Sequence, residues 1–335
     1  MEYPSDWAHK KGIRILGVEH GIASNVETLI HDPVYFVPGE IYSQVTNWEK
    51  IEGIEYGLEM DSYCFIHDTP ELAFDIRAQG KELHVQGDIS TIEKKTKDHR
   101  WALLGNVGLW YRHALKAQES KGIFSLHAAA IYNQDEDELF IIVGKAGSGK
   151  TVFLLEAISR GCQIFSTEMT YFKFSPEGVH FLRGALYDNI RIGSFVYDFP
   201  AVAEALKLDL PRVENPWDHK ISVDLHALSS TRVELVNPTL SFVFPRIEKG
   251  IEQVKVKDIT DPKEIARRLF DSASEKIGST FLIYDSFPVG SLDTSDLAAK
   301  RWQAVERLVT GEKWAIKQAK SSLAGPKNCM EEIFK

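Results

Sequence analysis

One eight-residue segment, Gly144-Lys145-Ala146-Gly147-Ser148-Gly149-Lys150-Thr151, constrains the fold of this 335-residue chain more than any other feature. It matches the pattern G-x-x-x-x-G-K-[ST] in full. The apolar run Leu139 to Val143 precedes it, and an amphipathic helical pattern from Thr151 to Arg160 follows. Glycines at these positions let consecutive backbone N–H groups point into one concavity, which suits phosphate oxygens. The segment therefore predicts a phosphate-binding loop (the P-loop, residues 144–151) within an α/β fold.

The residue types of the P-loop predict a nucleotide and Mg²⁺ as its ligands. The backbone of Gly144, Lys145, Ala146, Gly147, Ser148 and Gly149 would cradle the phosphates, helped by the positive end of the helix that follows. Lys150 is long enough to reach the β- and γ-phosphates, and the hydroxyl of Thr151 is a suitable ligand for Mg²⁺. The motif predicts nucleotide binding without indicating what is done with the nucleotide.

Two residues outside the P-loop are candidates for chemistry at the γ-phosphate. Glu168 follows the strand-like run Ile164-Phe165-Ser166-Thr167 and lies 17 residues after Thr151, so one helix and one strand would return it to the loop. Its carboxylate would serve as a metal partner or as a base. His127 lies in Leu126-His127-Ala128-Ala129-Ala130, where small neighbours leave room for a ligand. The alternatives are a solvated glutamate and a hydrogen-bonded core histidine.

The remaining chain is predicted to form two domains, residues 1–120 and 121–335. Residues 12–92 are typical of short antiparallel strands between turns, such as 34–37, 63–66 and 83–86, and apolar spacing predicts a helix from Trp101 to Ala117. In the second domain, 126–132 and 139–143 are predicted to form a hairpin. Further strands are expected at 162–166, 170–174, 179–182 and 240–244, and helices at 262–271 and 298–308. The segment Asp209 to His226 is expected to be a mobile loop.

Charge and composition exclude several classes of protein. The chain has 39 basic and 48 acidic residues, a formal net charge of −9, which argues against a broad nucleic-acid or membrane surface. It contains no apolar run of the ~20 residues that a membrane span needs, and its first residues lack a signal-peptide pattern. Three widely spaced cysteines (Cys64, Cys162, Cys329) fit a reducing compartment. We therefore expect a cytoplasmic protein.

In their order along the chain, these elements resemble the kinase domain of the HPr kinase/phosphorylase family, which is distantly related to ATP-dependent phosphoenolpyruvate carboxykinases. The resemblance depends on the histidine strand Ser125 to Ile131, the P-loop, the helix ending in Arg160-Gly161, the acid Glu168 and the strand ending in Leu182-Arg183-Gly184. It covers about 124–191 well and extends loosely to 241–246. It implies an α/β fold of the HPr kinase/carboxykinase type with a mixed β-sheet and a β-rich N-terminal domain.

The resemblance also implies an activity, the transfer of the γ-phosphate of ATP to a hydroxyl, commonly a serine of a protein or peptide. By this analogy His127 arranges the γ-phosphate and the acceptor, and Glu168 takes the position of a catalytic or metal-binding aspartate. The N-terminal region resembles that of relatives which include kinases of lasso precursor peptides. Small-molecule hydroxyls are further candidate acceptors, and the family implies assembly into multimers.

The sequence departs from the family at one position, because Thr167-Glu168 stands where two adjacent aspartates are typical. This departure disfavours the reverse, phosphorolysis reaction and favours the first of two alternatives to a kinase. The first is a non-catalytic nucleotide sensor or scaffold, and the second is a carboxykinase-like enzyme. Arg183, by its match to the family's Arg-Gly, is a candidate phosphate ligand. Arg191 and Arg246 are weaker candidates, and 217–220 is a candidate lid.

Overall fold

The computed structural model describes residues 7–31, 35, 48–145, 147–247, 255–323 and 326–333. The chain divides into two compact units, residues 1–122 with 275–298 and residues 123–274 with 299–335. The first break lies close to the predicted boundary after residue 120. Residues 275–298, which the sequence placed in the second domain, fall in the first unit. The predicted strand 34–37 lies outside the described residues except for Tyr35.

The chain is a mixed α/β protein with twenty strands and eight α-helices in its described part. The strands are β1 His9–Ile15, β2 Val18–Ser24, β3 Glu52–Ile54, β4 Ser62–Asp68, β5 Asp75–Gln79, β6 Glu82–Gly87, β7 Ile123–Leu126, β8 Ala128–Asn133, β9 Glu138–Val143, β10 Gln163–Ser166, β11 Thr170–Phe174, β12 Val179–Leu182, β13 Tyr187–Arg191, β14 Lys220–Asp224, β15 Glu234–Val236, β16 Thr239–Arg246, β17 Lys255–Asp258, β18 Phe281–Ile283, β19 Phe287–Val289 and β20 Ile316–Leu323. The helices are α1 Glu27–His31, α2 Ile89–Lys95, α3 Leu109–Ser120, α4 Lys150–Ser159, α5 Pro200–Ala205, α6 Pro262–Gly278, α7 Ser295–Thr310 and α8 Pro326–Ile333. Within these residues, no helix has the length and apolar character needed to cross a membrane.

The first unit is β-rich, as predicted, and contains a six-stranded sheet in the order β3-β1-β2-β4-β6-β5. The predicted antiparallel arrangement is wrong for two pairs, because β4 runs parallel to both β2 and β6. The reason is that β5 forms the edge of the sheet and turns through Gly80 into β6, which then returns beside β4 in the same direction. Short alternating strands carry no signal that separates the two pairings.

The predicted helix at 101–117 begins eight residues later than expected, as α3 Leu109–Ser120. Two glycines explain the difference. A Cβ at Gly105 would lie 2.1 Å from the carbonyl oxygen of His99, and one at Gly108 would lie 1.8 Å from that of Ala102. The chain before α3 is thus folded into close turns that only glycine permits, and Gly108 caps the helix.

The second unit contains a mixed six-stranded sheet in the order β10-β8-β9-β16-β20-β17. The predicted hairpin is confirmed as β8 and β9, antiparallel with Ala128 opposite Val143. β16 then runs parallel to β9, and β20 runs parallel to β16. The carboxyl ends of β9 and β16 therefore meet at one edge of the sheet, where the P-loop begins.

The continuous apolar runs of this sheet are explained by burial on both faces. In β9, Leu139, Ile141 and Val143 belong to one buried cluster, whereas Phe140 and Ile142 belong to the other. The first cluster includes residues of α6 and α7, and the second includes residues of α4, α5 and α8. Each fully buried side chain of this size contributes about 1.5–3 kcal/mol, so β9 is firmly fixed ahead of the P-loop.

Two smaller sheets complete the second unit. β15-β12-β11-β7 form an antiparallel sheet, and β13 and β14 form a two-stranded hairpin. The expected mobile loop at 209–226 is wrong in its second half, because Lys220–Asp224 is β14 and pairs residue by residue with β13. The turn before β14 is also hydrogen bonded, with the N–H of Gly193 donating to Pro216 and that of Ile192 to His219.

Candidate functional site

The P-loop connects the end of β9 to the first residue of α4, as predicted. Gly147 and Gly149 have φ values of 81° and 103°, in the left-handed region that other residues rarely adopt. A Cβ at Gly144 would lie 2.2 Å from Oγ of Ser148, so this position also requires glycine. Ala146 lies outside the described residues. The described residues thus form a tight turn that ends at a helix N-terminus, the geometry that binds phosphate.

Lys150 places its ammonium group at the centre of the loop. The residue is buried, and Nζ donates to the carbonyl oxygen of Gly144 at 2.7 Å and contacts that of Lys145 at 3.5 Å. It also lies 3.1 Å from Nε2 of His127. The cation therefore contacts both the loop backbone and the histidine that the sequence singled out.

His127 lies between β7 and β8, where its backbone is held by α6. Its N–H is 3.5 Å from the carbonyl oxygen of Ser272, whose hydroxyl donates to the carbonyl of His127 at 3.2 Å. The side chain is only 2% exposed, and its Nε2 lies 2.6 Å from Oε1 of Glu168. According to its tautomer, Nε2 can donate a hydrogen bond to this carboxylate or accept one from the ammonium of Lys150.

Glu168 follows β10 and remains 35% exposed at the site. The residue before it, Thr167, is buried, and its hydroxyl contacts the backbone that leads into β13. Its hydroxyl lies 2.7 Å from the carbonyl oxygen of Tyr187 and 3.0 Å from that of Ala185. A Cβ at Gly184 would lie 2.1 Å from the carbonyl oxygen of Met169, so the Arg-Gly segment packs directly against the turn that carries Glu168.

Sequence reasoning missed Asp188, a second acid at the site. The hydroxyl of Thr151 donates to Oδ2 of Asp188 at 3.0 Å. Burial of this carboxyl, together with the charge of Glu168, raises the pKa of Asp188 to about 6. The sequence signal was weak: Asp188 lies two residues before the apolar Ile190, so both lie on the same face of β13. No strand was expected in this part of the chain.

Two of the three candidate arginines, Arg183 and Arg191, donate hydrogen bonds to backbone carbonyl groups. Arg183 follows β12, and its guanidinium donates to the carbonyl of Ser230. Arg191 donates to the carbonyl of Trp217 at the far end of β13. Arg246 ends β16, next to Ile247, whose N–H donates to the carbonyl of Ser148 in the P-loop. Their roles toward phosphate stay predictions.

The oxygen atoms near Thr151 fit a magnesium ion. Mg²⁺ prefers hard oxygen ligands and is usually bound through one or two carboxylates together with substrate phosphates. The hydroxyl of Thr151 and the carboxylate of Asp188 supply such ligands, and Glu168 is close enough to Asp188 to influence its titration. In the part of the chain that is described, no cluster of three or more His, Cys, Asp or Glu forms a metal site by itself. A metal at this site would therefore need the phosphates of a bound nucleotide as further ligands.

Comparisons with known proteins give little further information. No family model matches the sequence, and no curated protein matches it. Among solved structures, the chain is similar to the HPr(Ser) kinase/phosphatase from Coxiella burnetii, with 14% identity over 55% of this chain and 96% of that chain, at a TM-score of 0.24. A similarity at this level does not establish a common fold, so the functional assignment depends on the geometry of the site.

Proposed function

We propose that this protein is an ATP-dependent kinase that transfers the γ-phosphate to a hydroxyl group. One observation carries the proposal: Nε2 of His127 lies within hydrogen-bond distance of both Lys150 and Glu168 at the mouth of the P-loop. A cation for the phosphates, an imidazole and a carboxylate thus meet where a γ-phosphate would lie. A loop that only held a nucleotide would not need the last two groups.

Nucleotide binding would use the backbone N–H groups of the P-loop and the ammonium of Lys150. This ammonium donates a hydrogen bond to the carbonyl oxygen of Gly144. A triphosphate offers oxygens of higher negative charge, and charge-assisted bonds to them are stronger than bonds to a neutral carbonyl. We therefore expect Lys150 to exchange this carbonyl for phosphate oxygens.

In the transfer step, the acceptor oxygen forms a bond to the γ-phosphorus while the bond from this phosphorus to the β,γ-bridging oxygen breaks. The bridging oxygen keeps the electron pair and leaves with ADP. The hydroxyl proton passes to the carboxylate of Glu168, which is exposed enough to meet an acceptor, and the adjacent His127 holds this carboxylate in position. Lys150 stabilises the negative charge on the transferred group.

Mg²⁺ would be held by Thr151 and Asp188 with the nucleotide phosphates, and when bound it neutralises charge on the β- and γ-oxygens.

The sequence raised the alternative of a nucleotide sensor because Thr167 replaces an acid of the family pattern. Asp188 provides a second carboxylate at the site, which favours the kinase. The resemblance to HPr kinases favours a serine hydroxyl of a protein or peptide as the acceptor. The three widely spaced cysteines favour a cytoplasmic location.

The test uses the purified full-length chain with Mg²⁺-ATP and a panel of hydroxyl acceptors. The panel contains free serine, peptides with an internal or a C-terminal serine, and glycerol, with the products analysed by mass spectrometry. We expect Lys150→Ala to abolish transfer. Glu168→Gln should retain ATP binding but lower kcat by roughly 10²- to 10⁴-fold.

Glu177→Gln, at an exposed glutamate in the turn between β11 and β12, is the matched control and should behave as the unaltered protein. Binding of ATP without any phosphorylated product across the panel would support the sensor and contradict the kinase. Unchanged transfer in the Glu168 variant would remove this residue from the mechanism.

A further inference from the structure

Thr167 makes an unusual set of contacts for a residue beside a catalytic acid. It is 1% exposed, and both its N–H and its hydroxyl bind the backbone of another segment. The N–H donates to the carbonyl of Ala185 at 3.0 Å. The hydroxyl lies between the carbonyl oxygens of Ala185 and Tyr187, at 3.0 and 2.7 Å. Thr167 therefore holds the chain that leads directly into Asp188.

The hydrogen bonds from Thr167 are important because they link the start of β13 to the end of β10. Within the described chain, β13 pairs with β14 and with no strand of the six-stranded sheet. The hairpin packs on the core through Leu186, Ile190, Val223 and Leu225. Such apolar packing is strong but non-directional. The hydrogen bonds from Thr167 are directional. They therefore fix the position of β13 along its own axis relative to the P-loop helix α4.

We propose that Thr167 is a positioning residue, whose hydroxyl fixes the start of β13 so that the carboxyl of Asp188 lies beside the hydroxyl of Thr151. The second acid of the site is thereby supplied from β13 and not from position 167. This inference rests on the proposed function, because it assigns Asp188 to the metal and phosphate end of that site.

The chemistry of position 167 explains why a hydroxyl is required there. A hydroxyl can donate a proton to a carbonyl oxygen, whereas an ionised carboxylate has no proton to donate. An aspartate at 167 would place a buried negative charge against two carbonyl oxygens, next to the acid Glu168. Threonine at 167 and aspartate at 188 are thus complementary, and moving the acid back to 167 would break the attachment of β13.

The test compares three variants in the full-length chain. Thr167→Val keeps the shape but removes the donor, and Thr167→Ser keeps the donor. Thr170→Val is the matched control, because Thr170 is equally buried and donates to the carbonyl of Ala128 at 2.9 Å instead of to β13. The first readout is the Mg²⁺ concentration for half-maximal binding of a non-hydrolysable ATP analogue, measured by calorimetry.

Loss of one hydrogen bond predicts that Thr167→Val raises this Mg²⁺ concentration by about three- to tenfold. Thr167→Ser and Thr170→Val should leave it unchanged, and binding of the analogue without Mg²⁺ should be the same in all variants. In an Asp188→Asn background the effect of Thr167→Val should disappear, because the two residues would act through one contact.

Each other outcome has a defined meaning. An unaltered protein that binds no nucleotide contradicts the proposed function itself. If it binds Mg²⁺-nucleotide normally and Thr167→Val has the same Mg²⁺ dependence, the positioning role of Thr167 is wrong while the proposed function stands. Equal effects at 167 and 170, or additive effects with Asp188→Asn, likewise contradict the role. If valine at 167 prevents folding, Thr167→Ser and Thr167→Cys make the same comparison, since they differ mainly in donor strength.

Discussion

The hydroxyl of Thr151 donates a hydrogen bond to Oδ2 of Asp188 across 3.0 Å, which joins the first turn of the P-loop helix to a strand 37 residues further along the chain. The hydroxyl is the P-loop group expected to bind Mg²⁺. Its partner carboxylate belongs to a hairpin that, among the described strands, pairs with none of the six-stranded sheet, and the charge of Glu168 helps to raise its pKa. The site is thus assembled from the P-loop and three other segments of the chain, which carry His127, Glu168 and Asp188.

Replacing Asp188 by asparagine should impair catalysis more than nucleotide binding. The amide can still accept the hydrogen bond from Thr151 but has no charge for the metal. We expect the apparent affinity for Mg²⁺ and kcat to fall by roughly 10- to 100-fold, as measured by transfer assays over a range of Mg²⁺ concentrations. Asp198→Asn, at an exposed aspartate in the segment that connects β13 to β14, is the control. Full activity of the Asp188 variant would exclude the carboxylate from the metal site.

The same variant should be more stable than the unaltered protein when no nucleotide is bound. The ordinary pKa of an aspartate is 3.8, whereas burial and Glu168 raise the pKa of Asp188 to about 6 in the folded chain. Ionised Asp188 therefore lowers the free energy of unfolding above about pH 6, and this cost disappears as the pH falls toward 4. Urea unfolding at pH 7.5 should show a gain of about 1–3 kcal/mol for Asp188→Asn, and no gain near pH 4. A loss of stability at pH 7.5 would contradict this interpretation.

Two buried histidines in the first unit should make its stability depend on pH. Burial lowers the pKa of His20 to about 3 and that of His113 to about 4. His20 contacts the hydroxyl of Ser62 at 2.7 Å, and His113 contacts the carbonyl of Lys81 at 3.2 Å. The unfolded chain takes up protons below about pH 6.5 while the folded chain does not, so stability decreases as the pH falls from 6.5 toward 4.

Each histidine should contribute up to about 1.4 kcal/mol per pH unit in this range. Urea unfolding of the first unit between pH 7 and 5 checks the prediction, with tryptophan fluorescence as the signal because Trp110 lies against His20. His113→Gln should reduce the slope. An identical slope in this variant would show that other groups cause the pH dependence.

Gly184→Ala should disturb transfer while sparing the P-loop. The added methyl group would lie 2.1 Å from the carbonyl oxygen of Met169, so the turn that carries Glu168 must move. Steric strain of this kind costs about 1–3 kcal/mol, and we expect kcat to fall about tenfold or more with little change in ATP binding. Gly290→Ala is the matched control, because a methyl group there has open space around it. A normal kcat in Gly184→Ala would show that the contact between Gly184 and Met169 does not determine the position of Glu168.

The parts of the site that could be predicted from sequence are those built from neighbouring elements. The apolar strand, the glycines and Lys150 of the P-loop all lie within one short stretch, and each has a direct local signal. His127 and Glu168 required only that one strand and one helix return to the loop, which the lengths of the elements allow. Their mutual contact at 2.6 Å confirms that the two residues are neighbours, while their roles stay predictions.

Asp188 could not be predicted in the same way, because its place depends on non-local contacts. No strand was expected at β13, and β14 forms where a mobile loop was expected; both strands are too short and polar to give a clear pattern. The turns before α3 were missed for a similar reason, since Gly105 and Gly108 are explained only by the carbonyls packed against them. Local sequence reveals what a segment favours, whereas these features depend on its distant neighbours.

The pairing of β13 with β14 alone also has a consequence for how the site can evolve. Among the described strands, β13 and β14 pair with no strand of the six-stranded sheet of the second unit. Substitutions that shift this hairpin can therefore move the carboxylate of Asp188 while β9 keeps its place ahead of the P-loop. Under the proposed function, proteins built on this plan would keep one nucleotide-binding loop and exchange the acid that works beside it.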